Sequence, residues 1–461
     1  MATIIILIFV IGYLGIAFEH PLKLDKTVSA LIMAVLIWAL LSFGFTGGIL
    51  DIINTSGDTF NFLKDGEEAA MNGFESTLLH HLGSTAEILI FLIGAMTIVE
   101  IIDLHKGFDL IKKAVKTKSK TKLLWIVGTL SFFLSAVIDN LTATIVLVTL
   151  IGKLIHQRKE RIWYASLIVI AANAGGAWSP IGDVTTTMLW IGKKLTAPGL
   201  IEYVVLPSIV SYIVPFLIAS RLPIFRGNIS EDPEKIEGDI TLLKSSKTML
   251  FLGLGMIVSV PITKAVFHLP PYMGMMLALG VVWLVSEYIV PEDGFTEEKK
   301  LLYSVRKALS SIDMASILFF FGILMAVAGL EALVYGAVNG EEVGTLRYAA
   351  EMLAKAIPSE NIVVLLLGVL SAIVDNVPLV AASMGMFTDP IDSVVWHFVA
   401  YSAGTGGSML IIGSAAGVAA MGMERIDFIW YMKKIGWLAF LGFISGAGLF
   451  LFIEEVIFHN T

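Results

Sequence analysis

The chain has 461 residues, of which 56% are hydrophobic and only 15% are charged, and its mean hydropathy is +0.84. A soluble domain carries about 25% charged and about 45–50% apolar residues, and the apolar excess here extends along the whole chain, so we predict a polytopic membrane protein. The net charge of −8 argues against a nucleic-acid partner, and the lack of cysteine excludes disulfides, thiolate metal sites and redox motifs.

Long uncharged runs predict the membrane segments in chain order. The first run has no basic stretch before it, so we expect a retained membrane helix rather than a cleaved signal peptide. The predicted order is N-terminal transmembrane helices at 1–50, an external acidic segment at 51–85, a first repeat at 86–220, a cytoplasmic loop at 221–247, a transmembrane helix pair at 248–290 and a second repeat at 314–456.

A re-entrant hairpin is predicted over residues 123–152, whose single charge is Asp139. The lysine-rich loop 104–122 precedes this run, and the basic segment 152–161 follows it. Short basic loops remain in the cytoplasm, so both ends of the run belong on one side of the membrane. Because a straight helix cannot place both its ends on one side, we predict a hairpin whose tip, Asp139-Asn140, lies near the membrane midplane.

The same pattern recurs in the second half of the chain. The hexapeptide Ser135–Asn140 reads SAVIDN, and Ser371–Asn376 reads SAIVDN, within a second predicted hairpin at 361–388. A glycine-rich break follows each hairpin, in predicted broken helices at 162–192 and 393–423. Basic residues place the mouth of the second hairpin outside, so the repeats are inverted, as in secondary transporters with a site between them. The predicted fold class is therefore an all-α polytopic membrane protein of inverted repeats, each with a re-entrant hairpin and a broken transmembrane helix.

Oxygen-bearing side chains at the hairpin tips and helix breaks are the candidate cation and proton ligands. Irregular backbone and carboxylates survive in a membrane only where they line protein or water, and hard oxygens suit small hard cations. We expect Na⁺ at Asp139, Asp375, Asn173 and Asp183. The full candidate set is Asp139, Asn140, Thr142, Asn173, Asp183, Thr185, Asp375, Asn376, Ser402 and Ser408, with Ser135, Ser371, Thr186 and Glu100 in support.

Helix capping is the alternative role for several of these residues. Asp and Asn both cap helices well, and Asn140 and Asn376 are better candidates for caps than the neighbouring aspartates. Asp183 could likewise begin the second half of its broken helix. Ser135 could bond its own helix as readily as face the site, and so could its counterpart in the second hairpin.

A few residues have no assigned place in this scheme. His80, His81 and His397 are candidates for a pH sensor, because histidine titrates near neutrality. The pair Lys193-Lys194 lies on the predicted outer side, against the preference of basic residues for the cytoplasm.

The two tips, the stretch Asn173–Thr187 (NAGGAWSPIGDVTTT) and the opening Phe18–Leu22 (FEHPL) resemble NhaD-type sodium/proton antiporters of the ion transporter superfamily. The resemblance covers nearly the whole chain. It implies exchange of intracellular Na⁺, and of Li⁺, for external H⁺ across a bacterial inner membrane, with a role in pH homeostasis. It further implies a multi-pass protein in the lipid bilayer without enzymatic activity or cofactor, and related transporters are often homodimers.

Two transport alternatives share this superfamily. One is Na⁺-coupled dicarboxylate symport, although two aspartates at the tips would repel an anionic substrate. The other is arsenite efflux. A membrane enzyme is disfavoured, since the sequence shows no nucleophile–histidine–acid constellation.

Overall fold

The computed structural model describes residues 1–115, 117–229, 242–291, 303–338, 340–357, 359–373 and 376–458. Within these residues, seven helices are long and apolar enough to cross a membrane. Large apolar side chains on several of them are exposed, including Val35 (65%), Phe43 (66%) and Phe251 (64%). Such exposure fits contact with lipid rather than water. The predicted fold class, an all-α polytopic membrane protein with a hairpin and a broken helix in each repeat, is confirmed.

The first half of the chain is almost entirely helical. Its elements are α1 (Ala2–Ala17), α2 (Glu19–Leu22), α3 (Lys26–Thr46), β1 (Ile52–Ile53), β2 (Thr59–Phe60), α4 (Phe62–Asp65), α5 (Glu67–Leu104), α6 (Asp109–Ala114), α7 (Lys120–Ile138), α8 (Asn140–Leu154), α9 (Arg158–Gly176), α10 (Val184–Ile191), α11 (Ala197–Ala219) and a 3₁₀ turn (Pro223–Phe225).

The second half has the same character. Its elements are α12 (Ser246–Phe267), α13 (Pro271–Tyr288), α14 (Val305–Ser311), α15 (Met314–Ala332), β3 (Val334–Val338), β4 (Glu341–Gly344), α16 (Thr345–Ala356), α17 (Glu360–Leu370), α18 (Asn376–Met386), α19 (Val394–Gly406), α20 (Ala415–Glu424), α21 (Phe428–Tyr431) and α22 (Trp437–Ile453), with π-helical turns at Met432–Gly436 and Glu454–Phe458. The strands form two small antiparallel pairs, β1–β2 and β3–β4, which the sequence did not predict.

Short polar side chains fix the starts of several long apolar helices. The carboxylate of Asp25 accepts the Thr27 N–H at 2.7 Å and caps α3. Thr196 caps α11 by accepting the Gly199 N–H at 3.2 Å. These bonds satisfy backbone donors that have no partner within the helix.

One compact unit consists of Met1–Leu89, Asp313–Leu367 and Val377–Pro390. In it, α3 and α15 pack at close range because Gly322 lies against Ala30; a Cβ at Gly322 would stand 2.7 Å from the Ala30 carbonyl carbon. The Trp38 indole donates to the Met325 carbonyl at 2.8 Å and joins the same two helices.

A second compact unit consists of Ile90–Ile312, Gly368–Asn376 and Ile391–Thr461. Helices α7, α8 and α9 contact one another in it. Gly175 of α9 lies directly against the Phe132 carbonyl of α7. The candidate residues described below all belong to this unit.

Two repeated hydrogen bonds show how each hairpin is joined to its broken helix. Ser135 of α7 donates to the Ala172 carbonyl of α9 at 2.6 Å. Ser371, after α17, donates to the Ala403 carbonyl of α19 at 2.9 Å. The two motifs that match in sequence therefore match in geometry, and both serines bond a neighbouring helix rather than their own.

The structure adds detail to the predicted segments. Helix α5 begins at Glu67, inside the segment expected to lie outside the membrane, and the carboxylates of Glu67 and Glu68 in its first turn favour helix formation there. The Lys194 ammonium lies 4.5 Å from the centre of the Trp396 ring, a cation–π contact that gives this unexpected lysine a partner. The segment boundaries remain predictions, and part of the predicted loop 221–247 lies outside the described residues.

Cysteine labelling tests the predicted topology, and the cysteine-free chain makes each introduced thiol unique. Cysteines at Ser119 and Gln157 should both react only from the cytoplasmic side, since they flank the first hairpin. Cysteines at Ser359 and Thr388 should both react only from outside. Membrane-impermeant maleimide applied to each face provides the measurement. Opposite-side labelling within either pair would show that its hairpin is a full crossing.

Candidate functional site

The first hairpin turns at a single residue, Asp139, between α7 and α8. Its backbone has φ 79° and ψ 160°, a conformation that residues other than glycine rarely adopt. Its carboxylate caps α8, accepting the Thr142 N–H at 2.8 Å and the Thr142 hydroxyl at 2.9 Å. The expectation that Asn140 rather than Asp139 would be the cap is wrong, because the sharp turn directs the aspartate side chain onto the first turn of α8.

Asn140 instead points into the interior, where it is 6% exposed. Its amide nitrogen donates to the Asn173 amide oxygen at 3.1 Å and to Asp183 Oδ2 at 2.8 Å. The hairpin tip is thereby bonded to both halves of the first broken helix, α9 and α10.

Asp183 is the buried carboxylate on which these bonds converge, and it is 3% exposed. Its Oδ1 accepts the Thr185 N–H at 3.0 Å and caps α10. Its Oδ2 accepts the amides of Asn140 and of Asn376, the latter at 3.2 Å. Because Asn376 is the counterpart of Asn140 in the second copy of the repeated hexapeptide, one carboxylate is bonded to both tips.

Asn173 extends this network to the second broken helix. Its amide nitrogen donates to the hydroxyls of Ser408 at 3.0 Å and of Ser414 at 2.9 Å. Ser414 also caps α20 by accepting the Gly417 N–H at 3.2 Å. All three of these polar side chains are at most 2% exposed.

Sequence reasoning missed Ser414, although the glycine breaks carry a signal for it. A Cβ at Gly176 would lie 2.5 Å from the Gly182 carbonyl oxygen, and one at Gly407 would lie 2.6 Å from that of Gly413. The residue after Gly182 is Asp183, and the residue after Gly413 is Ser414. The breaks therefore align without a gap, which makes Ser414 the neutral counterpart of Asp183.

The other predicted residues lie in several environments. Thr186 bonds the carbonyls of Ser179 and Asp183 at 2.7 and 2.9 Å. The hydroxyls of Thr185 and Ser402 are buried and have no hydrogen-bond partner among the described residues. Glu100 is partly buried on α5.

Asp375, the second tip aspartate, lies outside the described residues. Among the described hydrogen bonds, none joins Asp139 to Asn173 or Asp183. The geometry therefore brings together Asn140, Asn173, Asp183, Asn376 and Ser408 from the predicted set.

This cluster offers one carboxylate together with amide and hydroxyl oxygens, a set of hard donors that suits a small monovalent cation or a proton. No group of three or more histidine or acidic side chains suited to a tightly bound metal ion occurs among the described residues.

Comparison with known proteins places the chain in a family. A profile described as "Citrate transporter" (CitMHS) matches residues 5–399. "Sodium/proton antiporter 1" of Arabidopsis thaliana is 43% identical over 455 residues, covering 98% of this chain and 72% of that protein. "Na(+)/H(+) antiporter NhaD" of Alkalimonas amylolytica is 31% identical over 482 residues, covering 98% and 91%.

This chain belongs to the NhaD-type antiporter family. The NhaD-type fold has a structural relative in the YdaH transporter of Alcanivorax borkumensis, whose crystal structure is described as having an unusual topology. The TM-score is 0.59 at 13% identity, with 94% of this chain and 98% of that chain covered. As a member of the NhaD-type family, the chain is a multi-pass membrane transporter.

Proposed function

We propose that this protein exchanges intracellular Na⁺, and also Li⁺, for external H⁺. The observation that carries the proposal is the buried Asp183 carboxylate bonded to both hairpin tips, through Asn140 and Asn376. The names of its plant and bacterial relatives support the same reaction.

Exchange follows from competition for that carboxylate. A desolvated carboxylate in a buried site is stabilised either by a bound proton or by a bound cation, and the two exclude each other. Either bound ion neutralises the charge of the carboxylate, so the loaded site can move between the two faces of the membrane. The empty site keeps its negative charge, which opposes that movement. Mutual exclusion therefore makes movement of Na⁺ in one direction depend on movement of H⁺ in the other.

The asparagines adapt the site to either ion. An asparagine amide presents N–H donors on one edge and an oxygen acceptor on the other, and rotation by half a turn exchanges the two. Asn140 and Asn376 donate to Asp183 in this structure. Rotated, both would offer oxygens to Na⁺ beside the carboxylate. Asn173, with Ser408 and Ser414, would hold the opposite side of the ion.

The hairpins and broken helices would carry this site between the two faces of the membrane, as in transporters of inverted repeats. The bacterial relatives support our proposal of a bacterial inner membrane. We also propose that the protein forms a homodimer.

Na⁺-coupled dicarboxylate or citrate uptake is the second candidate, and the family profile that matches residues 5–399 favours it. The buried Asp183 and the tip aspartate Asp139 argue against it, because two carboxylates near the site repel a polycarboxylate. Arsenite efflux has no supporting observation in the described residues.

Everted membrane vesicles from an antiporter-deficient bacterial host separate these functions. A preformed pH gradient should collapse on addition of Na⁺ or Li⁺, and should not collapse on addition of choline. Vesicles lacking the protein are the control. Uptake of labelled succinate or citrate without any Na⁺-dependent collapse would support symport and contradict exchange.

A further inference from the structure

The unit that holds the site contains two sets of contacts at matching places in the two repeats. The first, which we name the arginine clasp, joins the start of α9 to the end of α20. Arg161 Nε bonds the Glu424 carboxylate at 2.9 and 3.0 Å, and Arg158 donates to the Arg425 carbonyl at 2.7 Å. Arginine stays charged at every physiological pH, so we expect the arginine clasp to stay closed over that whole range.

The second set, the histidine clasp, joins the start of α19 to the chain that follows α10. Asp392 Oδ1 accepts the Thr196 N–H at 2.7 Å, and the Asp392 N–H donates to the Lys194 carbonyl at 3.0 Å. Asp392 holds this position with φ 61°, in the left-handed region. The clasp thus depends on one aspartate in an unfavourable backbone conformation.

A buried histidine stands beside that aspartate. His397 is 0% exposed, its Nε2 lies 3.5 Å from Asp392 Oδ1, and its ring stacks on Tyr203 with centroids 4.4 Å apart. Neither ring nitrogen has a hydrogen-bond partner among the described residues. A buried polar group left in this state destabilises the fold, so packing alone gives no reason for an imidazole here.

The ring has one carboxylate beside it, and further acidic groups lie around its stacking partner. Helix α19 packs against α9, α10, α11 and α22. The charged and titratable groups that these elements and the adjoining turns place around His397 and its stacking partner are Asp392, Lys194, Glu202, Tyr203 and Glu454. Of these groups, Asp392 acts on the ring directly and favours a positive charge on the imidazole, whereas burial of the ring opposes that charge.

We propose that His397 is a proton-binding group that closes the histidine clasp when it is protonated. A proton taken from water on that side adds to one ring nitrogen, and the resulting imidazolium forms an ion pair with Asp392. The pair holds the Asp392 carboxylate in place against the Thr196 N–H. Loss of the proton removes the pair and loosens the clasp. The predicted topology places the histidine clasp on the outside of the membrane. External acid would therefore close the clasp and slow Na⁺/H⁺ exchange, a step that rests on the proposed function.

Hydrogen–deuterium exchange of the purified protein tests the clasp without reference to transport. After correction for the intrinsic rate, the segment containing the Thr196 amide should exchange about tenfold more slowly at acid than at alkaline pH, the effect of about 1.4 kcal/mol from a charge-assisted bond. His397→Gln should abolish this difference. Asp392→Asn should abolish it too, while keeping an acceptor for the Thr196 N–H. The arginine-clasp segment around Arg161 is the internal control and should not change.

An equal pH effect in wild type and His397→Gln, or no effect in wild type, would overturn the proposal. A second measurement addresses transport, with pH varied on one side of oriented proteoliposomes. Acid on the side of the histidine clasp should slow Na⁺ flux in wild type and leave His397→Gln unaffected; an equal slowing in both would also overturn it. If wild type shows no Na⁺/H⁺ exchange at all, the proposed function fails. The hydrogen–deuterium exchange result still decides whether protonation of His397 closes the histidine clasp.

Discussion

Asp183→Asn is expected to abolish Na⁺-dependent collapse of the pH gradient and to weaken apparent Na⁺ affinity by about a hundredfold, or about 2.8 kcal/mol. The substitution keeps the shape of the side chain and an oxygen that can accept the Thr185 N–H, so α10 remains capped. It deletes the buried charge that either ion must neutralise. The protein should therefore insert and fold normally, and its thermal stability should be equal or higher.

Asp139→Asn is the matched comparison, since it makes the same chemical change at a hairpin tip. The Asp139 carboxylate caps α8, and asparagine caps as well as aspartate, so this variant should retain at least about a tenth of the wild-type exchange rate. Both variants are assayed in the same everted vesicles at equal expression. Wild-type exchange by Asp183→Asn would contradict the assignment. Equal loss in both variants would place the Asp139 charge in the site as well.

Gly175→Ala is expected to destabilise the protein by about 1–3 kcal/mol or more. Gly175 lies against the Phe132 carbonyl, so an added Cβ would force α7 and α9 apart and disturb the hairpin that carries Asn140. Backbone cannot move aside as a flexible side chain can. The thermal midpoint in detergent and the amount of protein recovered from membranes are the measurements.

Gly255→Ala is the control for this change, because the glycine lies within α12 and a Cβ there would have no neighbour within 4 Å. Alanine favours helix over glycine by about 1 kcal/mol, so this variant should be as stable as wild type or more so. If Gly175→Ala proved as stable as Gly255→Ala, the close approach of α7 and α9 would be refuted.

The general architecture could be predicted from sequence because its signals are strong and local. A lone Asp139 in an uncharged run, flanked by basic loops, indicates a hairpin, and the repeated SA[VI][IV]DN motif indicates a duplication. Asn173 and Asp183 were also predictable, since polar side chains beside glycine breaks in a membrane are costly unless they have a role.

The exact partners within the site could not be predicted. Which of Asp139 and Asn140 caps α8 depends on the positive φ at Asp139, a backbone property with no clear sequence signature. Ser414 was not predicted because it is uncharged, whereas its counterpart in the first repeat, Asp183, carries a carboxylate. The convergence of Asn140 and Asn376 on one carboxylate depends on how the two repeats pack, and hydropathy patterns carry no information on that packing.

Proton release on Na⁺ binding is the measurement that tests the central claim most directly, the competition of Na⁺ and H⁺ for Asp183. Purified protein in weakly buffered detergent solution would be titrated with NaCl, with a pH-sensitive dye as the readout and choline chloride as the control. Wild type should release protons in a saturable way, and Asp183→Asn should release none. Saturable Na⁺ binding by wild type without proton release, or undiminished release from Asp183→Asn, would contradict the account.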